Sequence, residues 1–485
     1  MIRKIIAAVG VSGIIFVNAF ASQRPNIVLM MSDDQGWGEV SYNGHPYLKT
    51  PVLDEMASAG IRFDRFYAAS PVCSPTRASC MTGRHANRSG AFGAGWSIRP
   101  EEVTLPQLMK EAGYRTAHYG KWHIGAIKKG SPLSPNALGF EESLSHDNFF
   151  EMDSELSRNG NPPEPFKGDS SEFIVDEALK FAAQVVEEEK PFFIVVWFGS
   201  PHEPYSGYDE DIAPFKNLGN EISCRFAEIT AMDRAIGTFR EGLSQLGVRE
   251  NTLIWFNSDN GITIEGIPHE QRKHLYNGNL SGNKSKLLEG GIKVPAVIEW
   301  PSVISESRVS SVPCVTSDIL PTVIDIAGVK YPETDRPLDG ISLRDLIVDG
   351  TMIKRPSPIG FWKYNSRAEM KNEPWLANPE RYEKITLTTK LKKKKGPSYF
   401  RNHRHDKVMP QNYDTDCALI DNNFKLLNSK QGKAIVTALY DVEKDPQEKN
   451  DLASQYPEMV ERMQKQLRQW QENVENSLTG ADYKK

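Results

Sequence analysis

The sequence predicts an α/β protein in which a large, mostly parallel sheet is sandwiched by helices. A smaller C-terminal α+β unit, with an antiparallel sheet and a terminal helix, follows it. Two patterns support this fold class. Continuous apolar runs of strand length are separated by amphipathic helical stretches up to about residue 355, and beyond Ser357 the runs change to alternating apolar and polar residues. Strands buried on both faces of a parallel sheet read as continuous apolar runs, whereas antiparallel strands with one solvated face alternate.

The composition is that of a globular protein. The chain has 485 residues, of which 39% are apolar and 25% charged, so it can form a large core and a second, smaller unit. We predict a division into a larger unit at residues 22–355 and a smaller one at residues 356–485. This composition excludes a disordered or fibrous protein.

The N-terminus has the pattern of a secretory signal peptide. Arg3 and Lys4 precede an apolar run at residues 5–17, and Ala19-Phe20-Ala21 forms a small-x-small cleavage site. We therefore predict a signal peptide at residues 1–21, cleavage near Ala21, and export to the periplasm or the medium. No other run approaches the roughly 20 apolar residues of a membrane-spanning helix, so we expect no membrane span in the mature protein.

Charge and cysteine content exclude other classes. Removing Arg3 and Lys4 leaves 56 basic residues against 63 acidic ones, a formal charge of -7, which disfavours nucleic acid as a partner. The five cysteines are scattered and show no Cys-x-x-Cys spacing, which argues against a zinc site and a disulfide framework. At most one structural disulfide is expected.

The elements follow in order along the chain. Predicted strands of the large sheet lie at residues 26–32, 113–119, 191–198 and 252–257, and predicted helices at residues 50–60, 105–112, 173–188, 222–243 and 318–327. Residues 145–170 are irregular and rich in Asn, Gly and Pro, which favours a loop beside the pocket. In the C-terminal unit we predict strands at residues 359–362, 417–427 and 437–442 and a helix at residues 457–474.

Polar residues follow each strand of the predicted large sheet. They are Asp33 and Asp34, Lys121 and His123, His202, and Asp259 with Asn260. Because the carboxyl ends of parallel strands share one edge, where α/β sheets place ligands, we expect these side chains to meet there. The alternative for the acidic pair is a solvated turn or a helix cap, and for a lone lysine or histidine it is a surface or packed residue.

The stretch at residues 71–84 connects these blocks. The Ser-Pro-Thr step favours a turn, and Pro75 suits the first position of a helix, so Cys73 should lie just before a helix N-terminus, where an anion is favoured. Alternatively, Cys73 and Cys80, two helical turns apart, are ordinary core thiols or a disulfide pair.

The same stretch resembles the signature of the type I, formylglycine-dependent sulfatases of the alkaline phosphatase superfamily. The match comprises Cys73, Pro75 and Arg77 of the Cys-x-Pro-x-Arg core and the Thr82-Gly83-Arg84 end. Further blocks resemble the family: Gly-Lys-Trp-His around Lys121, Ser-Asp-Asn-Gly around Asp259, and the segment from Lys284 to the Glu-Gly-Gly-Ile run at residues 289–292. The sequence departs from the usual pattern at Thr76, Cys80, Met81, Asn283 and Lys293.

The resemblance implies a sulfuric ester hydrolase whose nucleophile is formylglycine (3-oxoalanine), made from Cys73 by a formylglycine-generating enzyme. It implies that Arg77 orients formylglycine, that His123 acts as a base, and that the sulfate group is held by Lys121, His202 and Lys284. His202 or Lys284 could protonate the leaving group. An exported enzyme of this kind is expected to act on sulfated polysaccharides or oligosaccharides.

A metal site is also implied. Its ligands would be Asp33, Asp34, formylglycine 73, Asp259 and the amide oxygen of Asn260. These are hard oxygen donors, which suit Ca²⁺ or Mg²⁺, whereas zinc would require more His or Cys. The resemblance favours one Ca²⁺ ion, with Mg²⁺ as the weaker choice.

Two rival functions and one segment remain open. A phosphatase or phosphonate monoester hydrolase of the same superfamily shares the fold, and a non-catalytic sulfated-glycan binder would result if Cys73 were never oxidised. Residues 390–407 hold Lys392–Lys395, Arg401, His403, Arg404 and His405. This basic segment is either a solvated loop or a basic lip that attracts a polyanion.

Overall fold

The computed structural model describes residues 24–148, 150–332, 336–364 and 407–483. The predicted signal peptide at residues 1–21 lies outside the described residues, as does the basic segment except for Lys407. No helix in the described ranges is long and apolar enough to cross a membrane.

The strands and helices have the following bounds. The strands are β1 (Asn26–Ser32), β2 (Ile61–Phe63), β3 (Phe66–Tyr67), β4 (Arg115–Lys121), β5 (Glu142–His146), β6 (Glu155–Arg158), β7 (Glu164–Pro165), β8 (Phe192–Trp197), β9 (Thr252–Ser258), β10 (Lys293–Val294), β11 (Ala296–Glu299), β12 (Arg308–Ser310), β13 (Cys314–Val315), β14 (Ile359–Trp362), β15 (Cys417–Asp421), β16 (Phe424–Gln431) and β17 (Ala434–Asp441). The α-helices are α1 (Pro51–Ala59), α2 (Cys73–Thr82), α3 (Ala86–Ser89), α4 (Leu105–Glu111), α5 (Ser170–Glu187), α6 (Asp209–Ile212), α7 (Asn220–Gln245), α8 (Glu289–Ile292), α9 (Ile319–Ile326), α10 (Pro410–Tyr413) and α11 (Pro457–Leu478). Short 3₁₀ turns lie at Ser41–Asn43, Ala213–Leu218, Arg249–Asn251, Arg272–His274, Thr316–Asp318 and Ala481–Tyr483, and a π-helical turn at Asp345–Asp349.

A ten-stranded mixed sheet forms the centre of the molecule, in the order β12-β2-β11-β9-β1-β8-β4-β5-β6-β7. The four strands predicted from apolar runs are β1, β4, β8 and β9, and they lie side by side and parallel. The register pairs Ser32 with Ser258 and Met31 with Trp197, so these strands end at the same edge of the sheet. The predicted fold class and the shared edge are therefore confirmed.

Helices cover both faces of this sheet. Leu29 and Met31 of β1 pack on one side in a core with α2, α4 and α9, whereas Val28 and Met30 pack on the other side with α1, α5 and α7. Because successive residues of a strand point to opposite faces, the continuous apolar sequence of β1 fills two cores at once.

The prediction of a loop at residues 145–170 was only partly right, since irregular stretches alternate with short strands there. The segment holds the end of β5 and the short antiparallel strands β6 and β7, which extend the sheet to its edge. These edge strands are short and polar, and β7 contains Pro165, so they lack the apolar runs that identify buried strands. Helix α2 also begins at Cys73 rather than at Pro75.

The C-terminal sheet is antiparallel, in the order β14-β15-β16-β17. Residues 417–427, predicted as one strand, form parts of two strands, because the chain reverses at Asn422 and Asn423 between β15 and β16. Asn422 has φ 52°, a left-handed conformation that asparagine tolerates in turns. Phe361 and Ile420 of this sheet share a core with Tyr67 and Val315, and the division at residues 355 and 356 stays a prediction.

Candidate active site

The polar residues that follow the parallel strands meet at one edge of the large sheet. Asp33 and Asp34 follow β1, Lys121 ends β4, and Asp259 and Asn260 follow β9. All five are 0% exposed, which excludes a solvated turn for the acidic pair. Burying several charges together is costly unless they are paired or bind an ion, so this edge is a candidate functional site.

Acidic groups cluster at the centre of the site. Ligand atoms of Asp33, Cys73 and Asp259 lie within 4.8 Å of one another. The Asp34 amide donates to Asp259 Oδ1 at 3.1 Å, and Asn260 Nδ2 donates to Asp34 Oδ1 at 2.7 Å. Buried Oδ1 atoms of Asp33 and Asn260 have no hydrogen-bond partner. Unpartnered oxygen acceptors beside three carboxylates fit a hard divalent cation such as Ca²⁺ or Mg²⁺.

Arg77 and Lys121 balance part of this negative charge. Arg77 Nε and Nη2 donate to Asp259 Oδ2 at 3.1 and 2.7 Å, and Nη1 donates to the Lys121 carbonyl oxygen at 3.3 Å. The guanidinium also lies over the Trp197 ring, 5.0 Å from its centroid. Lys121 Nζ donates to Asp33 Oδ2. Arg77 thereby ties α2, which begins at Cys73, to the strand ends that carry the acidic cluster.

The pKa values of the Asp34 and Asp259 carboxyl groups are shifted in opposite directions. Burial would raise the pKa of Asp34, but Lys284 and His202 outweigh this effect and hold the pKa well below its usual value. Burial and the Asp33 carboxylate raise the pKa of Asp259 to about 6. A bound divalent cation would favour the ionised form of each group.

Cys73 lies at the first turn of α2, 1% exposed. Burial raises the pKa of its thiol, and the nearby Lys121 and Lys284 offset only part of this effect. The neighbouring Ser74 hydroxyl donates to the His123 carbonyl oxygen at 2.6 Å, which joins the start of α2 to the segment after β4. The five cysteines all lie in described segments and are unpaired, so the alternative of a disulfide between Cys73 and Cys80 is wrong.

His123 lies just beyond β4 with φ 59°, so its side chain is not placed by the extended geometry expected from its spacing to Lys121. Burial lowers its pKa well below the usual value, and the cations Lys121 and Arg77 lower it further. Its Nδ1 atom is buried and has no hydrogen-bond partner. His123 Nδ1 is therefore left available to a group that enters the site.

The glycines on either side of Lys121 and His123 are required by close packing, which the sequence does not reveal. A Cβ on Gly120 would lie 2.0 Å from the Trp197 carbonyl oxygen, and one on Gly125 would lie 2.4 Å from Leu133 Cβ. Glycines beside functional residues commonly leave room for a ligand at the backbone. Here they instead allow close packing against the protein's own chain.

His202 and Lys284 lie on the other side of Asp34. Lys284 Nζ donates to Asp34 Oδ2 at 2.7 Å and lies 3.3 Å from His202 Nε2, which is 3.6 Å from Asp34 Oδ2. Burial lowers the pKa of His202 to about 4. Burial would also lower the pKa of Lys284, but Asp34 outweighs it and raises the pKa above its usual value. The Lys284 ammonium and the His202 ring thus face the acidic cluster from this side, with His202 Nδ1 donating to the Glu203 carbonyl oxygen at 2.6 Å.

One buried ion pair behind the site was missed by the sequence analysis. Arg225 on α7 bonds Glu39 through Nε at 2.8 Å and Nη2 at 2.6 Å, and its remaining donors reach the carbonyl oxygens of Pro201 at 2.7 Å and Asp34 at 2.8 Å. Arg225 therefore holds the segments that carry Asp34 and His202. The only sequence signal was a charged residue beside the apolar stripe of α7.

Every candidate residue from the sequence lies within this site. Asp33, Asp34, Cys73, Asp259 and Asn260 form the acidic side, and Arg77, Lys121, His123, His202 and Lys284 surround it.

The Sulfatase family model matches residues 25–329, which hold all of these side chains. The chain is 32% identical over 371 residues to N-acetylgalactosamine-6-sulfatase of Mus musculus, and the aligned part covers 70% of this chain and 69% of the mouse protein. It is 29% identical over 360 residues to an ulvan-active sulfatase of Formosa agariphila, covering 69% of this chain and 66% of that protein.

The fold is also similar to that of a solved structure. The crystal structure of Ps i-CgsB in complex with k-i-k-neocarrahexaose has a TM-score of 0.74 and 25% sequence identity, covering 92% of this chain and 93% of that one. The strand order, the acidic edge and the family match agree with one another. The chain belongs to the sulfatase family, within the alkaline phosphatase superfamily, and is a sulfuric ester hydrolase.

Proposed function

We propose that this protein is an exported, formylglycine-dependent sulfatase that hydrolyses sulfate esters on polysaccharides or oligosaccharides. The observation that supports it most is the position of Cys73 at the first turn of α2. There its sulfur lies within 4.8 Å of oxygens of Asp33 and Asp259, which suit a cation, and close to Lys121 and Lys284, which suit a sulfate group. A sulfatase requires these three features within a few ångströms of one another.

The nucleophile is residue 73 after oxidation. The Cys73 thiol is buried and its pKa is raised, so it is a poor nucleophile as a thiol. A formylglycine-generating enzyme, with molecular oxygen as the oxidant and loss of the sulfur, converts it to an aldehyde, and the hydrated aldehyde supplies a hydroxyl oxygen. That hydroxyl loses its proton to solvent as its oxygen forms a bond to sulfur and the bond between sulfur and the ester oxygen breaks. Arg77 orients residue 73 through its hold on Asp259 and on the end of β4.

Lys121, His202 and Lys284 bind the sulfate group. They approach the acidic cluster from β4 on one side and from the segments after β8 and β9 on the other, so a sulfate between them meets donors from both directions. Donors fixed in a buried site stabilise charge in the transition state without having to reorient. Lys121 and Lys284 are fixed by their bonds to Asp33 and Asp34, and His202 contacts Lys284 at 3.3 Å.

Proton transfer is divided between the two histidines and Lys284. Neutral His123 takes the proton of the second hydroxyl, which lets the aldehyde re-form and sulfate leave. Lys284, whose pKa is raised, or His202 donates a proton to the departing oxygen. A bound sulfate adds negative charge beside His202 and so raises its pKa, which favours the proton-donating form.

The cation site is formed by Asp33, Asp34, residue 73, Asp259 and Asn260, and the ion is Ca²⁺. The unpartnered oxygens of Asp33 and Asn260 and the all-oxygen donor set fit this ion. The ion would polarise the oxygen of residue 73 and neutralise charge on the sulfate.

Two observations support the substrate class and the location. Relatives of this chain are named for N-acetylgalactosamine 6-sulfate and ulvan, and the similar solved structure holds a neocarrahexaose, all of them carbohydrates. The signal-peptide pattern at residues 1–21 supports export, which fits an enzyme that acts on extracellular polysaccharides.

A phosphatase of the same superfamily is the second candidate. Such an enzyme is expected to have two metal ions and a His-rich ligand set. Within the described ranges the possible metal-binding groups include one histidine, His202, which also lies 3.3 Å from Lys284. This arrangement favours one ion and a cationic anion-binding site, as in the sulfatase proposal.

The deciding experiment compares two esters of one alcohol. The purified protein should release 4-methylumbelliferone from the sulfate at least 100-fold faster than from the phosphate, and a panel of sulfated oligosaccharides then identifies the sugar and the sulfate position. Cys73→Ala is the matched control and should show no sulfate release while it remains folded. Equal or faster cleavage of the phosphate ester would contradict the proposal.

A further inference from the structure

A buried charge cluster joins the C-terminal sheet to the larger part of the molecule. Lys425 on β16 has its Nζ atom 3.0 Å from Glu289 Oε1 and 2.9 Å from Glu448 Oε1, with all three side chains 0% exposed. The three residues come from separate segments, since Lys425 lies on β16, Glu289 begins α8 and Glu448 follows β17. Removing charged side chains from water is costly, and the cost is offset only where their partners are held in good geometry.

The cluster holds α8 through several contacts. Glu448 Oε2 accepts the Glu289 backbone amide at 2.7 Å, and the Tyr67 hydroxyl donates to Glu289 Oε2 at 3.1 Å. Burial would lower the pKa of Lys425, but the two carboxylates outweigh it and keep the lysine charged. Glu289 is therefore fixed through both its side chain and its backbone.

Residues 281–291, which carry Lys284 and continue into α8, are called the lysine loop. Its backbone is tied to the site at three points: the Lys284 amide donates to the Ile262 carbonyl at 2.8 Å, Ser285 donates to Pro71 at 2.8 Å, and Gly261 donates to Gly291 at 2.9 Å. Pro71 precedes Cys73 and Gly261 follows Asn260. The loop thus contacts both the nucleophile segment and the metal-ligand segment.

The loop is too tightly packed to absorb a shift of Glu289. A Cβ on Gly290 would lie 2.3 Å from the Gly282 carbonyl oxygen, and one on Gly291 would lie 2.1 Å from that of Lys286. Backbone in such close contact moves as one piece, so a displacement at α8 reaches Lys284.

We propose that Lys425 and Glu448 of the C-terminal sheet are positioning residues for the active site, which set the place of Lys284 by fixing Glu289 at the end of the lysine loop. The C-terminal sheet then completes the catalytic centre of the larger unit and is required for it. This inference rests on the proposed function, because it assigns sulfate binding to Lys284.

The test compares two buried ion pairs. Lys425→Met removes the cluster's cation. Arg355→Met is the matched control, because it removes a fully buried arginine that bonds Asp318 at 2.7 and 2.8 Å without touching the lysine loop. For each folded variant, kcat and KM for an aryl sulfate and the inhibition constant of inorganic sulfate are measured, together with the formylglycine content by mass spectrometry.

Lys425→Met should lower kcat/KM by about 10- to 100-fold, the range that follows from misplacing a catalytic group by about 1 Å, and should raise the sulfate inhibition constant several-fold. Arg355→Met should leave both within about twofold. Glu448→Gln, which keeps the size of the side chain, should show a smaller change in the same direction, and it replaces Lys425→Met if that variant does not fold.

Backbone hydrogen exchange at residues 281–291 gives a readout that does not depend on activity. It should increase in Lys425→Met or Glu448→Gln and stay unchanged in Arg355→Met. Equal kinetic losses and equal exchange in the cluster and control variants would overturn the inference. A wild-type enzyme that releases no sulfate would instead overturn the proposed function, and the exchange result would then still decide whether Lys425 holds the loop.

Discussion

Replacing Arg225 by methionine should destabilise the protein and weaken catalysis together. Methionine fills similar space but leaves the Glu39 carboxylate buried without a partner. Breaking a fully buried ion pair from one side costs about 3–5 kcal/mol. Both side chains are 0% exposed, and Arg225 makes two bonds to Glu39 and two more to the carbonyl oxygens of Asp34 and Pro201. We therefore expect a loss of about 4 kcal/mol in the free energy of unfolding.

The assay is urea unfolding followed by tryptophan fluorescence, with sulfate release measured in parallel. Because the lost bonds hold the segments of Asp34 and His202, kcat/KM should fall by about 10- to 100-fold in the folded variant. Arg234→Met on the same helix is the control. Arg234 is 41% exposed, but its partner Asp211 is 8% exposed, so its loss should cost about 1–3 kcal/mol, less than the loss of Arg225.

A double variant separates the charge penalty from the lost packing. Arg225→Met with Glu39→Gln removes the unpaired carboxylate and should recover part of the lost stability without recovering the activity. If Arg225→Met were within about 0.5 kcal/mol of the wild type and fully active, the positioning role derived from the structure would be refuted.

Three further predictions concern the ion, the sulfate group and the substrate chain. Exhaustive chelation should abolish sulfate release, and added Ca²⁺ should restore it. Asp259→Ala should be inactive with or without the ion, because no other anionic side chain can replace the lost ligand. Activity that survives chelation would argue against the ion. Lys284→Ala should lower kcat/KM by about 100- to 1,000-fold, the usual effect of removing a fixed donor from a buried anion site, whereas exposed Lys286→Ala should change it less than twofold in the same assay. Neutralising Lys392–Lys395 should raise KM for a sulfated polymer, more at low salt than at high salt, and should leave KM for a small aryl sulfate unchanged. The reason is that attraction to a polyanion is screened within about 10 Å at roughly 0.1 M salt. Equal effects on both substrates would favour a solvated loop.

Much of the fold and the site could be predicted from local signals. Strands β1, β8 and β9 are continuous apolar runs, and each delivers its polar residues at the same end, so the sequence indicates both the sheet and the edge where the site lies. The motif around Cys73 then connects α2 to that edge. These features depend on neighbours in sequence, which a single sequence displays directly.

The residues that support the site could not be found in this way. Arg225 and Glu39 are 186 positions apart, and Arg225 lies among the buried apolar residues of α7. Lys425 lies in an alternating strand, where a lysine normally faces solvent, yet its partner Glu289 is 136 positions away and both are buried. Such pairs form only when distant segments fold together, so neither periodicity nor composition reveals them.

The edge strands were missed for a related reason. Strands β6 and β7 are short, and the pairing of β6 with β5 and of β7 with β6 depends on the sheet that is already in place rather than on their own propensity. The turn at Asn422 was missed because the residues on both sides of the two asparagines alternate like a single strand. The two asparagines were the signal of the turn.

The mass of the tryptic peptide at residues 66–77 tests the central claim most directly. This peptide contains Cys73 and no other cysteine. In active enzyme it should be about 18 Da lighter than the unmodified sequence, because the thiol has been replaced by an aldehyde oxygen. The lighter fraction should rise and fall with the specific activity for sulfate release across preparations that differ in maturation. A fully active enzyme whose peptide carries an unmodified thiol would contradict the formylglycine mechanism.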